Sequence, residues 1–289
     1  MTEPLHVAMD VRAGRTVLAT VQRDRVIDLR RLEHGPDVHA DVLADGVAVL
    51  RGRAPGVVAG IAGIWRHRDR LGVADAQPFA ALLADVGARA GLPTWWLPHG
   101  AALAWGESLR APVAGPLAVF ALDVTAAGGV ICAGRAFDPL RLDLGHLSVR
   151  ADGLKCSCGA RGCVHAYASE TALQELARDI DLSLEAPSAI DWQTLMDSHL
   201  SGFQSESPQE TKLLARRAGW AVGIAASQLV DAFGVVEVRV RTRHPDQWRV
   251  LAPAAQTAVD QVCGPRAPKL AAADAGEDAF FTGAVAAGR

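Results

Sequence analysis

The sequence predicts an α/β fold built from two domains. Short stretches containing β-branched residues alternate with longer stretches whose apolar residues recur at helical spacing, and strands followed by helices occur twice along the chain. Hydrophobic residues make up 50% of the 289 residues, which is enough for a core in each domain. We expect a small first domain over residues 1–115 and a larger second domain over 116–289, with the C-terminal helix able to pack back on the first.

The first domain is predicted to begin with a cluster of short strands. Its elements in order are strands at 5–10, 16–22 and 25–29, a helix over 41–50, a strand over 56–65, a helix over 77–90, a strand over 94–97 and a helix over 99–109. The stretch over 56–65 is apolar throughout and has the length of a strand, which is typical of a buried central strand.

The second domain is predicted to begin with a hairpin and to continue mainly with helices. Its elements are strands at 117–122 and 129–134, helices at 169–179, 191–200 and 208–233, a strand at 235–240 and a closing helix at 278–287. The low-complexity stretch over 267–276 is predicted to be a loop.

A cluster of one histidine and three cysteines predicts a structural zinc site. Its four residues are His146, Cys156, Cys158 and Cys163. Zn²⁺ accepts three thiolates and one imidazole in a closed tetrahedron, which leaves no position open for catalysis. Three buried cysteines beside a core histidine are the alternative, although clustered Cys and His in a reduced chain favour a metal.

Composition excludes several classes of partner. The net charge of −3 provides no basic footprint, so we expect no nucleic-acid partner, and the basic clusters at 66–70 and 239–244 are explained by a solvated face or a protein contact. No apolar run approaches the roughly 18 residues of a membrane span, and no signal peptide is recognised, so no membrane partner is expected. Five cysteines, three of them in one cluster, are typical of a reducing compartment and predict a cytoplasmic protein.

The stretch over 145–169, GHLSVRADGLKCSCGARGCVHAYAS, resembles the zinc signature of the ROK family (repressors, open reading frames, kinases). His165 stands where the family has a glutamate. The resemblance implies a two-domain, actin-like fold of the sugar kinase type with a structural zinc loop, and it implies a homodimer. In the kinases of this family, ATP and a hexose meet in the interdomain cleft.

The segments that resemble the family's nucleotide-binding loops depart from its pattern. The glycine-rich first loop, in which backbone N–H groups contact phosphate, corresponds to residues 10–15 and carries Arg12 and Ala13 in place of glycines. The second phosphate loop corresponds to 123–129 and begins with Asp123, a carboxylate that disfavours bound phosphate. The adenosine loop corresponds to 241–244, where arginines replace glycines. Binding of ATP and Mg²⁺ is therefore not expected.

The resemblance also locates a former sugar pocket, and its residues are changed. Pro98 and His99 replace the family's sugar-binding Asn and catalytic Asp, and Asp143 and His165 replace two glutamates. His146 is retained, and Trp96 flanks the pocket. This pocket is predicted to bind a small-molecule ligand in the cleft. His99 and His165 are the acid–base candidates, with Asp143 orienting one of them. A pocket for an anionic ligand and a second metal site are alternatives.

Two functional classes, and a third less favoured one, remain open. The first is a repurposed enzyme that acts on a different small molecule with the histidines and Asp143. The second is a non-catalytic pseudokinase, a ligand sensor or a partner of a kinase-like subunit. The third is a divergent ATP-dependent sugar kinase. Turnover that depends on His99 favours the first, and ligand binding that is unaffected by His99→Ala favours the second.

Overall fold

The structure is a computed structural model that describes residues 3–12, 14–66, 73–137, 142–180, 209–243, 246–274 and 276–288. It divides into two compact units, each described by itself below. Unit 1 comprises Met1–Pro112, Gly129–Leu142 and Ala275–Arg289, and unit 2 comprises Val113–Gly128 and Asp143–Asp274. Compared with the predicted boundary at 115/116, this division assigns two further segments, 129–142 and the C-terminal helix, to unit 1.

Unit 1 contains a five-stranded sheet whose central strand is buried on both faces. Its elements are β1 (Leu5–Arg12), β2 (Arg15–Gln22), β3 (Arg25–Glu33), α1 (Ala40–Arg53), β4 (Val58–Trp65), α2 (Val73–Ala90), β5 (Thr94–Pro98) and α3 (His99–Arg110). The strand order is β3-β2-β1-β4-β5, in which β1 pairs antiparallel with β2 and parallel with β4. Every residue from Leu5 to Asp10 is buried, as expected for a strand that is covered on both sides.

The three parallel strands β1, β4 and β5 end at the same edge of this sheet. In the ladder, Asp10 lies opposite Ile64, and Trp65 lies opposite Pro98. Arg12 is the last residue of β1, Arg66 follows β4, and His99 follows β5. The connections therefore bring together charged and titratable residues that are far apart in the sequence.

The second sheet has β9 paired in parallel with both of its neighbours. Its strands are β6 (Leu117–Leu122), β7 (Ala126–Cys132), β8 (Arg135–Ala136), β9 (Glu237–Thr242) and β10 (Lys269–Ala272), in the order β10-β9-β6-β7-β8. The division between the units falls within β7. The prediction of a loop over 267–276 is wrong for Lys269–Ala272, which form β10. The backbone of these residues pairs with β9 despite their alanine-rich sequence.

Helices follow the zinc-like stretch in unit 2. They are α4 (His165–Ala168), α5 (Glu170–Ile180), α6 (Gln209–Phe233) and α7 (Gln247–Cys263). Sequence analysis did not predict α7, and the helix predicted over 191–200 lies outside the described residues. The long helix α6 packs against α7 at Gly219 and Gly223, where a Cβ would overlap the backbone carbonyls of Leu251 and Ala255.

The closing helix α8 (Asp278–Ala286) belongs to unit 1 and packs on α3. A Cβ on Gly106 would overlap the backbone of Ala279, and a Cβ on Gly283 would overlap the carbonyl of Ala102. Close approach of these two helix backbones thus depends on glycine. Among the described residues, no helix is both long enough and apolar enough to cross a bilayer.

Candidate functional site

The predicted zinc ligands converge in unit 2. One ligand atom from each of His146, Cys156, Cys158 and Cys163 lies within 4.8 Å of all the others. The Sγ atoms of Cys158 and Cys163 are 3.7 Å apart, and Cys156 Sγ is 3.5 Å from His146 Nδ1. Ligands about 2.3 Å from a tetrahedral zinc are separated by about 3.8 Å, so the spacing fits this ion. The cluster could therefore hold zinc.

The backbone of this loop explains how three sulfurs reach one point. Gly159 and Gly162 adopt φ values of 86° and 73°, a left-handed conformation that favours glycine. The amide of Gly159 donates to the carbonyl of Cys156 at 3.0 Å, and the amide of Cys156 donates to that of Ala160 at 2.9 Å. These tight turns aim the side chains of the cysteines inward.

Protons compete with a metal ion for the thiols of the cluster. Burial, followed by the charge of Cys156, raises the pKa of the Cys163 thiol, and burial also raises the pKa of the Cys156 thiol. Without a cation these thiols stay protonated at neutral pH. A metal ion must therefore displace their protons, which makes its affinity depend on pH.

The structure brings Asp143, His146 and His165 together beside the cluster. His146 Nε2 lies 3.9 Å from Asp143 Oδ2, while its other ring nitrogen faces Cys156. The rings of His146 and His165 stack with centroids 5.4 Å apart. His165 Nδ1 accepts a hydrogen bond from the amide of Ala126 at 3.2 Å, which puts the proton of the neutral ring on Nε2.

His99 and Trp96 belong to unit 1. His99 begins α3 with 2% of its surface exposed, and its ring stacks on Phe280 with centroids 6.4 Å apart. Trp96 contacts Trp65 and Phe79 edge-on, at 5.8 and 6.1 Å between centroids. Their predicted roles in ligand binding, and a pocket shared with the three residues of unit 2, stay predictions.

A buried carboxylate with two arginines occupies the altered first loop. Asp10 accepts hydrogen bonds from Arg12 Nε and Nη2 at 2.8 and 2.6 Å and from Arg66 Nε and Nη2 at 2.7 and 3.1 Å. Burial alone would raise the pKa of Asp10, but the charges and hydrogen bonds of Arg66 and Arg12 together hold it below its ordinary value. Ala13, the other substituted residue of this loop, lies outside the described residues.

The altered loops of unit 2 are joined by ion pairs as well. Arg241 Nη1 lies 3.9 Å from Asp123 Oδ2, and Arg243 donates to Glu170 at 2.6 Å. The amide of Glu170 in turn donates to the carbonyl of Asp123 at 2.9 Å. The substituted arginines and the substituted aspartate therefore form one network.

Sequence reasoning missed Arg66, Phe280 and Glu170 as members of these clusters. A solvated face is the wrong explanation for Arg66, whose side chain is 20% exposed, and for Arg239, which is 8% exposed and paired with Glu237. Phe280 lies 5.1 Å below the guanidinium of Arg66, and its ring also contacts His99. The sequence signals for Arg66 were its place in the basic cluster at 66–70 and its position directly after the strand predicted over 56–65.

Comparison with known proteins identifies the family of this chain. The family model named ROK family matches residues 47–287. The chain belongs to the ROK family. A stretch of 55 residues is 40% identical to the glucokinase of Thermotoga maritima, although this match covers 18% of the chain and 17% of that enzyme.

Solved ROK structures show the same fold over nearly the whole chain. The ROK hexokinase of Thermus thermophilus superposes with a TM-score of 0.77 at 20% identity, covering 97% of this chain and 96% of that one. A ROK transcriptional regulator, a homologue of the E. coli MLC protein, gives 0.76 at 16% identity and covers 97% and 76%. The predicted actin-like fold of the ROK sugar kinases is confirmed.

Proposed function

We propose that this ROK protein has lost ATP-dependent sugar kinase activity and uses its remodelled residues to bind a different small molecule. The observation that carries the proposal is the ion-paired Asp10. Its carboxylate accepts four hydrogen bonds from two guanidinium groups. A side chain in this state is a poor ligand for Mg²⁺, and Arg12 stands where the resemblance puts a glycine of the phosphate-binding loop.

The ion pairs of unit 2 support the same proposal. Asp123 places a negative charge where the resemblance puts ATP phosphate, and Arg241 pairs with that charge. Arg243 and Glu170 extend the pairing. Because these opposite charges pair with one another, the ion pairs stabilise the loops in a conformation that disfavours the binding of a polyphosphate.

For the remodelled pocket, we propose acid–base chemistry by histidine. His165 donates through Nε2 in its neutral form, because its Nδ1 accepts from the amide of Ala126. Asp143 faces His146 Nε2, an arrangement that orients a metal-ligating imidazole. Zinc held by His146 and the three cysteines would fix this loop, and its chemistry is structural because all four positions are filled by protein. His99 is the second acid–base candidate.

The test is a direct assay for the lost activity. Zinc-loaded protein is titrated with Mg-ATP by calorimetry up to millimolar nucleotide, and ADP release is measured across a panel of hexoses, with a ROK hexokinase run in parallel. We expect no sugar-dependent ADP release. Phosphorylation of any sugar in the panel would refute the proposal and restore the divergent-kinase alternative.

A non-catalytic sensor or pseudokinase is the second candidate, and the packing of His99 favours it. A ring that is 2% exposed and stacked on Phe280 is poorly placed to exchange protons with a substrate. In this case the partner is a small molecule or a kinase-like subunit, and the protein itself is expected to form a homodimer. Ligand binding that survives His99→Ala, together with the mass of the assembly from light scattering, tests this candidate.

A further inference from the structure

Unit 2 contains a groove of about 1170 Å³ whose lining includes none of the residues that the proposed function uses. Its walls are the loop over 150–161, the helix α6 and the helix α7. Six uncharged residues of α7, from Val250 to Gln261, lie on one face of that helix and line the groove along about 16 Å. Pockets for small molecules usually have about 300–1,000 Å³. The groove therefore has the size of a peptide segment of about three helical turns.

The rim of this groove is basic. Five exposed basic side chains line it: Arg150, Lys155, Arg161, Arg216 and Arg217. The acidic residue of the lining is Asp152, which pairs with Arg150 at 2.7 Å. The other four basic side chains form no ion pair with any residue that the structure describes. Five basic side chains against one acidic side chain leave an excess of four positive charges around the groove.

The base of the groove is apolar, and its walls are held in place by contacts within unit 2. The rings of Tyr167 and Trp220 meet edge-on with centroids 6.4 Å apart. The hydroxyl of Tyr167 accepts a hydrogen bond from the amide of Leu154 at 3.1 Å, which ties the loop wall to α4. Within that loop, Lys155 and Arg161 pair through an antiparallel β-bridge. A partner that binds to walls already fixed in this way loses less entropy on ordering them.

We infer that this groove is a docking site for an acidic, amphipathic segment of another protein. The apolar side chains of such a segment contact the base between α6 and α7, and its carboxylates pair with the basic rim, as in other complexes of an amphipathic helix with a groove. Charge complementarity selects this occupant. The inference goes beyond the proposed function, because it concerns a different surface and does not depend on the loss of kinase activity.

Two other occupants fit the charge of the groove less well. A second copy of the chain in a two-fold symmetric contact would bring two grooves of the same positive charge together, which is unfavourable. A nucleic acid would meet a chain whose net charge is −3, and the uncharged wall of α7 offers no aromatic ring on which bases could stack.

The experiment measures the binding of a synthetic helical peptide of about four turns to the full chain. The peptide has leucine at positions i, i+3, i+4 and i+7 and glutamate at the others, and it carries an uncharged dye for fluorescence anisotropy. Its matched control has lysine in place of every glutamate. We expect saturable binding of the glutamate peptide and at least about tenfold weaker binding of the lysine peptide.

Two pairs of variants locate the binding site. Thr257→Glu places a carboxylate in the groove and should weaken binding of the glutamate peptide by about tenfold or more. Its control is Gln256→Glu, which introduces the same charge at the neighbouring exposed position of α7, outside the lining, and should leave affinity within about twofold. Arg217→Gln should weaken binding by about twofold to fivefold. Arg249→Gln, which removes an arginine of α7 that does not line the groove, should not.

The fold of each variant is checked by circular dichroism and Tm, and the arginine pair decides the matter if Thr257→Glu does not fold. Equal binding of the two peptides, or equal effects within both pairs of variants, would overturn the inference. So would a homodimer that dissociates in Thr257→Glu but not in Gln256→Glu, since the groove would then be the interface between two copies. Sugar-dependent ADP release would refute the proposed function without affecting these peptide measurements, so the two can fail separately.

Discussion

Replacing Asp10 by Asn is the sharpest perturbation of the altered loop. The substitution keeps the shape of the side chain but removes the negative charge that pairs with both Arg12 and Arg66. Removal of one partner from a buried ion pair costs about 3–5 kcal/mol. Since 20–30% of each arginine side chain reaches water, we expect the lower end, a loss of about 3 kcal/mol in the free energy of unfolding.

The pH dependence of this loss has a definite sign. The pKa of Asp10 is held below its ordinary value in the folded state, so the stability that its charge contributes is fully present above the unfolded pKa of about 3.9 and disappears as pH falls through the folded value. The stability difference between wild type and Asp10→Asn should therefore be constant above about pH 5 and shrink below about pH 4.

Urea unfolding followed by circular dichroism measures this difference at each pH. The matched control is Asp85→Asn, which removes an exposed carboxylate paired with Arg89 and should cost no more than about 1 kcal/mol. A loss below about 1 kcal/mol for Asp10→Asn at pH 7, or a difference that persists unchanged at pH 3, would show that the buried ion pair does not stabilise unit 1.

Four further outcomes are expected. Gly283→Ala should destabilise unit 1 by at least about 1–3 kcal/mol, because its Cβ would overlap the carbonyl of Ala102, whereas Gly276→Ala faces open space and should be neutral by thermal unfolding. Cys163→Ser should lower the zinc content measured by mass spectrometry to well below one ion per chain, and Cys132→Ser, outside the cluster, should not. Zinc affinity measured by chelator competition should rise with pH between 6 and 8, since raised thiol pKa values mean that binding releases protons. His99→Ala should abolish turnover of any substrate found if the protein is an enzyme, and should leave ligand affinity unchanged if it is a sensor.

The elements that the sequence predicted well are those with a strong local pattern. The apolar run over 56–65 became β4, and the periodic stretch over 208–233 became α6 (Gln209–Phe233). The helix α7 was missed because Pro253 interrupts its pattern near the middle. The strand β10 was missed because alanine is a poor strand former, and only the open edge of β9 makes its backbone extended.

The convergence of the candidate zinc ligands could be predicted from the sequence, whereas the ion-pair clusters could not. All four candidate ligands lie within eighteen residues of the chain, so their spacing along the sequence indicates that they can meet at one point. Arg66, which pairs with Asp10, and Arg241, which pairs with Asp123, come from elements that are distant in the chain and adjacent only through parallel strand pairing. The sequence identifies each substitution but gives no means of finding these distant partners.

That partnership changes how the altered loops are to be understood. A phosphate loop that had merely lost its ligand would be expected to carry unrelated substitutions, each exposed to solvent. Instead Arg12 pairs with the buried Asp10, and Arg241 approaches Asp123 from another strand. In unit 1 the substitution that replaces a glycine of the family's phosphate loop also supplies Arg12, which pairs with Asp10 together with Arg66. These ion pairs therefore stabilise the altered loop itself, and the stability lost in Asp10→Asn measures their contribution directly.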